Sequence, residues 1–138
     1  MGDAERAAPR VKIAVVDDEP AVCSLIENIL EEAGYLPVAT TEARFALELV
    51  RRENPALLLV DITMPGMDGY QLLAALQADP QTKSCPVVFV TAQYGFLQRM
   101  HAFEEGVRGY ITKPFLPTRL AALVEKILRE LRPAPRPN

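Results

Sequence analysis

Residues 56–61 read ALLLVD, an uninterrupted apolar run that stops at an aspartate. Such a run is typical of a strand that is covered on both faces of a sheet. Two other segments are similar: residues 12–17 read KIAVVD and also end at an aspartate, and residues 86–91 read PVVFVT and end at a threonine. We interpret Lys12–Val16, Ala56–Val60 and Pro86–Val90 as buried strands, each followed by a polar side chain.

Helical patterns separate these strands along the chain. Apolar residues recur there at the three- and four-residue spacing of one helix face. The patterns predict helices over 20–33, 41–52, 72–79, 96–107 and 120–131, and two further short strands over 36–40 and 109–111. In the fourth helix, the stripe of Phe96, Met100 and Phe103 is expected to face the core. Five strand–helix units in alternation predict an α/β protein with a doubly wound, five-stranded parallel sheet and helices on both faces.

The length of 138 residues suits one domain, which we place over residues 11–131. Residues 1–10 are expected to form a flexible N-terminus, and the proline-rich residues 132–138 a tail or linker. The net charge of -3 provides no basic field, so direct nucleic-acid binding is not expected. No apolar run suits a signal peptide or a membrane span, which predicts a cytoplasmic protein without membrane insertion. Cys23 and Cys85 are interpreted as small apolar residues.

Polar side chains follow several predicted strands at the point where each strand ends. They are Asp17, Asp18, Asp61, Thr91 and Lys113. The carboxyl ends of parallel strands share one edge of a sheet, so neighbouring strands would bring the three aspartates into one crevice. Two carboxylates about 4 Å apart repel by roughly 4 kcal/mol at an effective dielectric constant of 20, and a counter-charge is needed. Lys113 and a divalent cation would supply it, and an all-oxygen ligand set suits Mg²⁺.

A carboxylate in such a site is a recognised nucleophile toward phosphorus. Asp61 is the obvious acceptor, and its product would be an aspartyl-phosphate. Lys113 could then pair with one phosphoryl oxygen, Thr91 could donate to another, and the metal could take the third.

Together these segments resemble the receiver domain of two-component response regulators. The resemblance rests on Asp17-Asp18, Leu58–Asp61 followed by Met64–Gly69, Val90–Ala92 and Tyr110–Phe115, and it covers about residues 11–131. It implies a flavodoxin-like sheet with strand order 2-1-3-4-5. It also implies a signalling phosphoacceptor rather than an enzyme, although one that takes part in its own phosphorylation and dephosphorylation. The phosphodonor would be a histidine kinase or phosphotransfer protein, and the output a downstream protein target or effector domain.

The resemblance also assigns roles to individual residues. Asp61 is the implied phosphoacceptor, and Asp18 and Asp61 are implied Mg²⁺ ligands with the backbone carbonyl of Thr63, while Asp17 acts partly through water. Thr91 and Lys113 are the implied phosphate-sensing groups. Tyr110 would change rotamer, and the bond before Pro114 would be cis. Thr63 and Gln93 would border the path of the attacking water, and the fourth helix, fifth strand and fifth helix would form the partner surface and a possible dimer contact.

Two other functions fit part of this pattern. A phosphatase of the haloacid dehalogenase type also uses a strand-end Asp, a Thr and a Lys, but it needs a second acid two residues after its nucleophile, where this chain has Thr63. A pseudo-receiver would serve only as an interaction module without phosphorylation. The complete set of acidic residues, Thr91 and Lys113 argues against it.

Overall fold

A computed structural model describes residues 10–132 of the chain. Most of the two predicted terminal segments, 1–10 and 132–138, therefore lies outside the described residues. The strands are β1 (Lys12–Val16), β2 (Leu36–Thr40), β3 (Leu57–Val60), β4 (Val87–Thr91) and β5 (Gly109–Thr112). The helices are α1 (Pro20–Glu32), α2 (Ala46–Glu53), α3 (Gly69–Ala78), α4 (Phe96–Glu105) and α5 (Pro117–Leu131).

The five strands form one parallel sheet in the order β2-β1-β3-β4-β5, which confirms the predicted topology. The central strands β1 and β3 are direct neighbours, with Val16 paired to Val60. This pairing decides where the functional residues lie, because Asp17 and Asp61 are the next residues along the two strands.

Side chains of the sheet alternate between two hydrophobic cores. Val16 and Leu58 point into the core on one face, which α2, α3 and α4 cover. Val15 and Leu59 point into the core on the other face, which α1 and α5 cover. Every residue of β3 is buried, so its unbroken apolar sequence follows from burial on both faces.

The second predicted helix differs at its start. The sequence predicts one helix over 41–52, whereas the chain forms a 3₁₀ turn over Ala43–Phe45 before α2 begins at Ala46. Asn54 ends α2 in the left-handed conformation, with φ of 46°. The side chain of asparagine is short and can hydrogen-bond to its own backbone, so Asn54 tolerates this conformation. A residue in the left-handed conformation cannot continue a right-handed helix, and α2 therefore ends there.

The prediction for the apolar stripe of α4 is wrong. Phe96, Met100 and Phe103 are 74%, 43% and 44% exposed, whereas Ala102 is completely buried. The spacing identified an amphipathic helix correctly, but it does not say which face of the helix meets the sheet. Here the small side chain of Ala102 is the part of α4 that lies in the core, and the large apolar side chains lie outside the core.

Within residues 10–132, none of the helices combines the length and the apolar character needed to cross a bilayer.

Candidate functional site

The carboxyl edge of the sheet carries a compact group of polar side chains. Asp17 directly follows β1, Asp61 follows β3, Thr91 ends β4 and Lys113 follows β5. Asp17, Asp61 and Thr91 are buried, at 1%, 6% and 1% exposure. Buried charges need partners, so the arrangement around these carboxylates must supply counter-charge.

Lys113 supplies this charge by bridging the two aspartates. Its Nζ lies 2.7 Å from Asp17 Oδ2 and 2.9 Å from Asp61 Oδ2. Glu19 Oε1 lies 3.5 Å from the same Nζ at the more exposed side of the crevice. The peptide bond between Lys113 and Pro114 is cis, as the resemblance implied.

Burial and charge act in opposite directions on the ionisation of these groups. Burial raises the pKa of the Asp17 carboxyl above its ordinary value, while hydrogen bonds from Lys113 and from the Glu19 backbone N–H oppose that rise. Burial alone would lower the pKa of Lys113, but its hydrogen bonds to Asp17 and Asp61 prevail and the pKa is raised. Lys113 is therefore a permanent cation at neutral pH.

The group of closely spaced carboxylates differs from the predicted trio. Oxygen atoms of Asp17, Glu19 and Asp61 lie within 4.8 Å of one another. Asp18 is not in this group and instead lines a neighbouring cavity of about 390 Å³, whose walls include Met64 and Met67. The all-oxygen donor set fits a hard divalent cation such as Mg²⁺.

Glu19 was not singled out from the sequence. It is the N-cap residue of α1, yet its side chain makes no capping hydrogen bond. Its carboxylate lies near Lys113 instead. The signal that could have identified it is the run Asp17-Asp18-Glu19, in which a third consecutive acid precedes a helix.

Hydrogen bonds connect the acidic crevice to the loops around it. Asp61 Oδ1 accepts a hydrogen bond from the Thr63 N–H at 3.2 Å, and Thr91 Oγ1 accepts one from the Gln93 N–H at 3.3 Å. Gln93 Nε2 donates in turn to Thr63 Oγ1 at 3.1 Å. Thr63 and Gln93, which were both predicted to border the path of the attacking water, are thus hydrogen-bonded to each other.

Tyr110 lies inside the protein, with its ring packed against the core. Its side chain is 4% exposed, and its hydroxyl donates to the Gln93 carbonyl at 2.7 Å. The Arg99 guanidinium lies 5.5 Å from the centre of the ring and donates to the Tyr110 carbonyl at 3.3 Å. The inward position of Tyr110 is therefore held from both α4 and the loop after β4.

The start of α3 fixes the loop that follows Asp61. Asp68 caps α3 and forms a reciprocal capping box with Gln71. A Cβ atom at Gly69 would lie 2.9 Å from both the Asp61 carbonyl oxygen and Ile62 Cα. Only glycine permits this close approach of the helix to the backbone of Asp61, which accounts for Gly69 directly after the cap residue Asp68.

A family model of the response regulator receiver domain matches residues 13–125. The chain belongs to the response regulator receiver domain family. A receiver domain is a signalling domain rather than a classical enzyme, so the family favours signalling over the haloacid dehalogenase alternative. Asp17, Asp61, Thr91 and Lys113 lie together at the carboxyl edge of the sheet, whereas Asp18 lies outside the closely spaced acidic group.

Individual relatives agree with this assignment. Response regulator Rre1 of Synechocystis sp. is 36% identical over 122 residues, which cover 88% of this chain and 53% of that protein. The phosphate regulon transcriptional regulatory protein PhoB of Escherichia coli is 33% identical over 122 residues, with coverage of 88% and 53%. The chain thus spans about half the length of these two relatives.

Solved structures show the same fold. The receiver domain of Francisella response regulator 1452 matches with a TM-score of 0.82 and 26% identity, covering 89% of this chain and all of that one. A putative response regulator from Chloroflexus aurantiacus matches with a TM-score of 0.80 and 33% identity, covering 88% and 99%.

Proposed function

We propose that this receiver domain accepts a phosphoryl group on Asp61 from a histidine kinase or phosphotransfer protein. The observation that carries the proposal is the bridge from Lys113 Nζ to Asp17 and Asp61, at 2.7 and 2.9 Å. It keeps the Asp61 carboxylate buried and supplied with positive charge at the edge of the sheet. Phosphoryl transfer depends mainly on positioning and charge neutralisation, and this arrangement supports both.

In the proposed reaction, an Asp61 carboxylate oxygen attacks the phosphorus of a phosphohistidine. The new P–O bond forms as the P–N bond breaks, and the imidazole of the donor leaves with the electron pair of that bond. Negative charge then lies on the phosphoryl oxygens beside Asp61. Lys113 stabilises one of these oxygens by charge, and the Thr91 hydroxyl donates to another.

The proposed metal is Mg²⁺, held by Asp18, Asp61 and the backbone carbonyl of Thr63, with Asp17 acting partly through water. When bound, the ion would neutralise charge on the carboxylates and the phosphoryl oxygens. The proximity of Asp17, Glu19 and Asp61 oxygens, within 4.8 Å, supports a cation at this position. Glu19 adds a further oxygen donor near the entrance of the crevice.

Thr63 and Gln93 are proposed to control how water reaches the aspartyl-phosphate. Both residues are exposed and are joined by the hydrogen bond between Gln93 Nε2 and Thr63 Oγ1. Their backbone N–H groups donate to Thr91 Oγ1 and Asp61 Oδ1 of the crevice, respectively. Neither is a charged general base, so they would position water rather than deprotonate it. Spontaneous hydrolysis should therefore be slow enough for the phosphoryl group to act as a signal.

The proposed output surface consists of α4, β5 and α5, with Tyr110 as the residue that changes rotamer. Exposed apolar side chains lie at the start of α4 and in the loop just before it: Phe96 and Leu97 are 74% and 71% exposed, and Tyr94 in the loop is 77% exposed. Exposed aromatic and aliphatic side chains in one place are typical of a protein-binding surface. A downstream protein, an effector domain or a second copy of this chain would dock there.

The cytoplasmic location of the protein and its lack of direct contact with nucleic acid stay predictions from the sequence.

Intact-mass measurement after incubation with acetyl phosphate and Mg²⁺ tests the proposal. The wild-type protein should gain the mass of one phosphoryl group, and Asp61→Asn should gain none. Asp79→Asn is the matched control, because Asp79 pairs with Arg51 away from the site. Phosphoryl uptake that persists in Asp61→Asn would refute the assignment, and a wild-type protein that takes up none would support the pseudo-receiver alternative.

A further inference from the structure

Gln93 is the residue on which the contacts of the site and of Tyr110 converge. Its backbone N–H donates to Thr91 Oγ1 at 3.3 Å, and its carbonyl accepts from the Tyr110 hydroxyl at 2.7 Å. Its side-chain Nε2 donates to Thr63 Oγ1 at 3.1 Å. One residue is thus bonded to the phosphate-sensing hydroxyl, the buried tyrosine and the loop after Asp61.

The side-chain bond differs from the other two because it connects two separate loops. Thr63 belongs to the loop between β3 and α3, and Gln93 to the loop between β4 and α4. The Thr63 backbone N–H is itself bonded to Asp61 Oδ1 at 3.2 Å. The Gln93–Thr63 hydrogen bond therefore connects the loop beside the phosphoacceptor to the loop whose backbone carbonyl accepts a hydrogen bond from Tyr110.

We infer that the Gln93–Thr63 hydrogen bond is a latch that stabilises the unphosphorylated arrangement and so sets how readily phosphorylation switches the domain. This inference rests on the proposed function. When Thr91 turns toward a phosphoryl oxygen, the adjoining Gln93 backbone must follow or lose its bond to Oγ1. Movement of Gln93 displaces the carbonyl that holds Tyr110, and the latch opposes that movement.

The latch has a consequence that can be measured by equilibrium binding. A hydrogen bond that is present only in the unswitched arrangement lowers the affinity for any ligand that binds the switched arrangement. Removing this bond raises the affinity by the same factor. The latch is exposed, so it should contribute at the low end for a hydrogen bond. We expect its loss to tighten binding of a phosphoryl mimic about threefold, which corresponds to about 0.7 kcal/mol.

The probe is beryllofluoride at saturating Mg²⁺, titrated against the full chain and followed by fluorine NMR. Gln93→Met removes the donor at nearly constant volume, and Thr63→Val removes the acceptor but keeps the backbone N–H and carbonyl. Each variant should bind beryllofluoride about threefold more tightly than wild type. The double variant should bind no more tightly than either single one, because the two changes remove the same bond.

Gln77→Met is the matched control, since Gln77 Nε2 makes a similar bond to the Glu105 carbonyl, at 3.2 Å, outside the site. Its affinity for beryllofluoride should equal that of wild type. Unchanged or weaker binding in Gln93→Met, or additive effects in the double variant, would overturn the latch while leaving the proposed function intact. A wild-type protein that does not bind beryllofluoride would overturn both.

Discussion

Replacing Lys113 by methionine removes the only cation that the described residues place between Asp17 and Asp61. The side chains of Lys113, Asp17 and Asp61 are 13%, 2% and 8% exposed, so water screens their charges weakly. At an effective dielectric constant of about 20, attractions across 2.7 and 2.9 Å amount to about 6 kcal/mol each. Repulsion between carboxylate oxygens within 4.8 Å is about 3.5 kcal/mol or more.

The net effect is smaller than these sums, because the lysine also loses its hydration on folding. Removing one partner of a buried ion pair typically costs about 3–5 kcal/mol. We expect Lys113→Met to lower the free energy of unfolding by about 3 kcal/mol, the low end of that range, because Lys113 is itself 13% exposed and its neighbour Glu19 is 62% exposed. For a domain of this size that corresponds to a fall in Tm of about 10 °C.

Thermal melts at pH 7, with and without Mg²⁺, measure this effect. Lys126→Met is the control, since Lys126 is an exposed residue of α5. Mg²⁺ should raise the Tm of Lys113→Met more than that of wild type, because the metal replaces the missing charge. A Tm of Lys113→Met no lower than that of Lys126→Met would refute the electrostatic account of the site.

Three further predictions concern metal binding, phosphoryl lifetime and thiol ionisation. Asp18→Asn should weaken Mg²⁺ binding at least tenfold, measured by the dependence of Tm on Mg²⁺, because a ligand loses its charge. Changing Thr63 and Gln93 together should alter the rate of aspartyl-phosphate hydrolysis while leaving Mg²⁺ affinity nearly constant. Burial raises the pKa of the Cys23 and Cys85 thiols to about 11, so iodoacetamide should label neither in the native protein at pH 8, but both in urea. The folded state then keeps protons that the unfolded chain releases, and the free energy of unfolding should fall as pH rises from about 9 to 11.

Each of these predictions has a contradicting outcome. An equal loss of Mg²⁺ affinity in Glu31→Gln, an exposed carboxylate near the end of α1, would show that Asp18 acts only through overall charge. Unchanged hydrolysis in the Thr63 and Gln93 double variant would remove both residues from the path of water. Rapid labelling of native Cys23 at pH 8 would show that burial does not suppress its ionisation.

The central part of the fold could be predicted from the sequence because burial on both faces leaves a simple signal. A short apolar run such as Leu57–Val60 is typical of a strand in a sheet that is covered on both faces, and the aspartate after it marks the edge. The facing of α4 could not be predicted in the same way. Its stripe of Phe96, Met100 and Phe103 looks like a core face, yet it is exposed, because periodicity alone does not fix how a helix is rotated about its axis.

The site was predictable to a similar degree. Strand ends place Asp17, Asp61, Thr91 and Lys113 at one edge, but their proximity depends on β1 lying beside β3, which followed from the resemblance. Glu19 was missed because the direction of an N-cap side chain is set by the fold. The bond between Gln93 and Thr63 joins two loops whose relative position no local pattern encodes.

Chemical trapping of the phosphorylated residue tests the central claim most directly. Borohydride reduces an aspartyl-phosphate to homoserine, so the acceptor can be read from peptide masses after treatment with acetyl phosphate, Mg²⁺ and then borohydride. The proposed function predicts homoserine at position 61 alone, absent when acetyl phosphate is omitted. Conversion at another aspartate, or none at Asp61 in protein that has taken up phosphate, would contradict it.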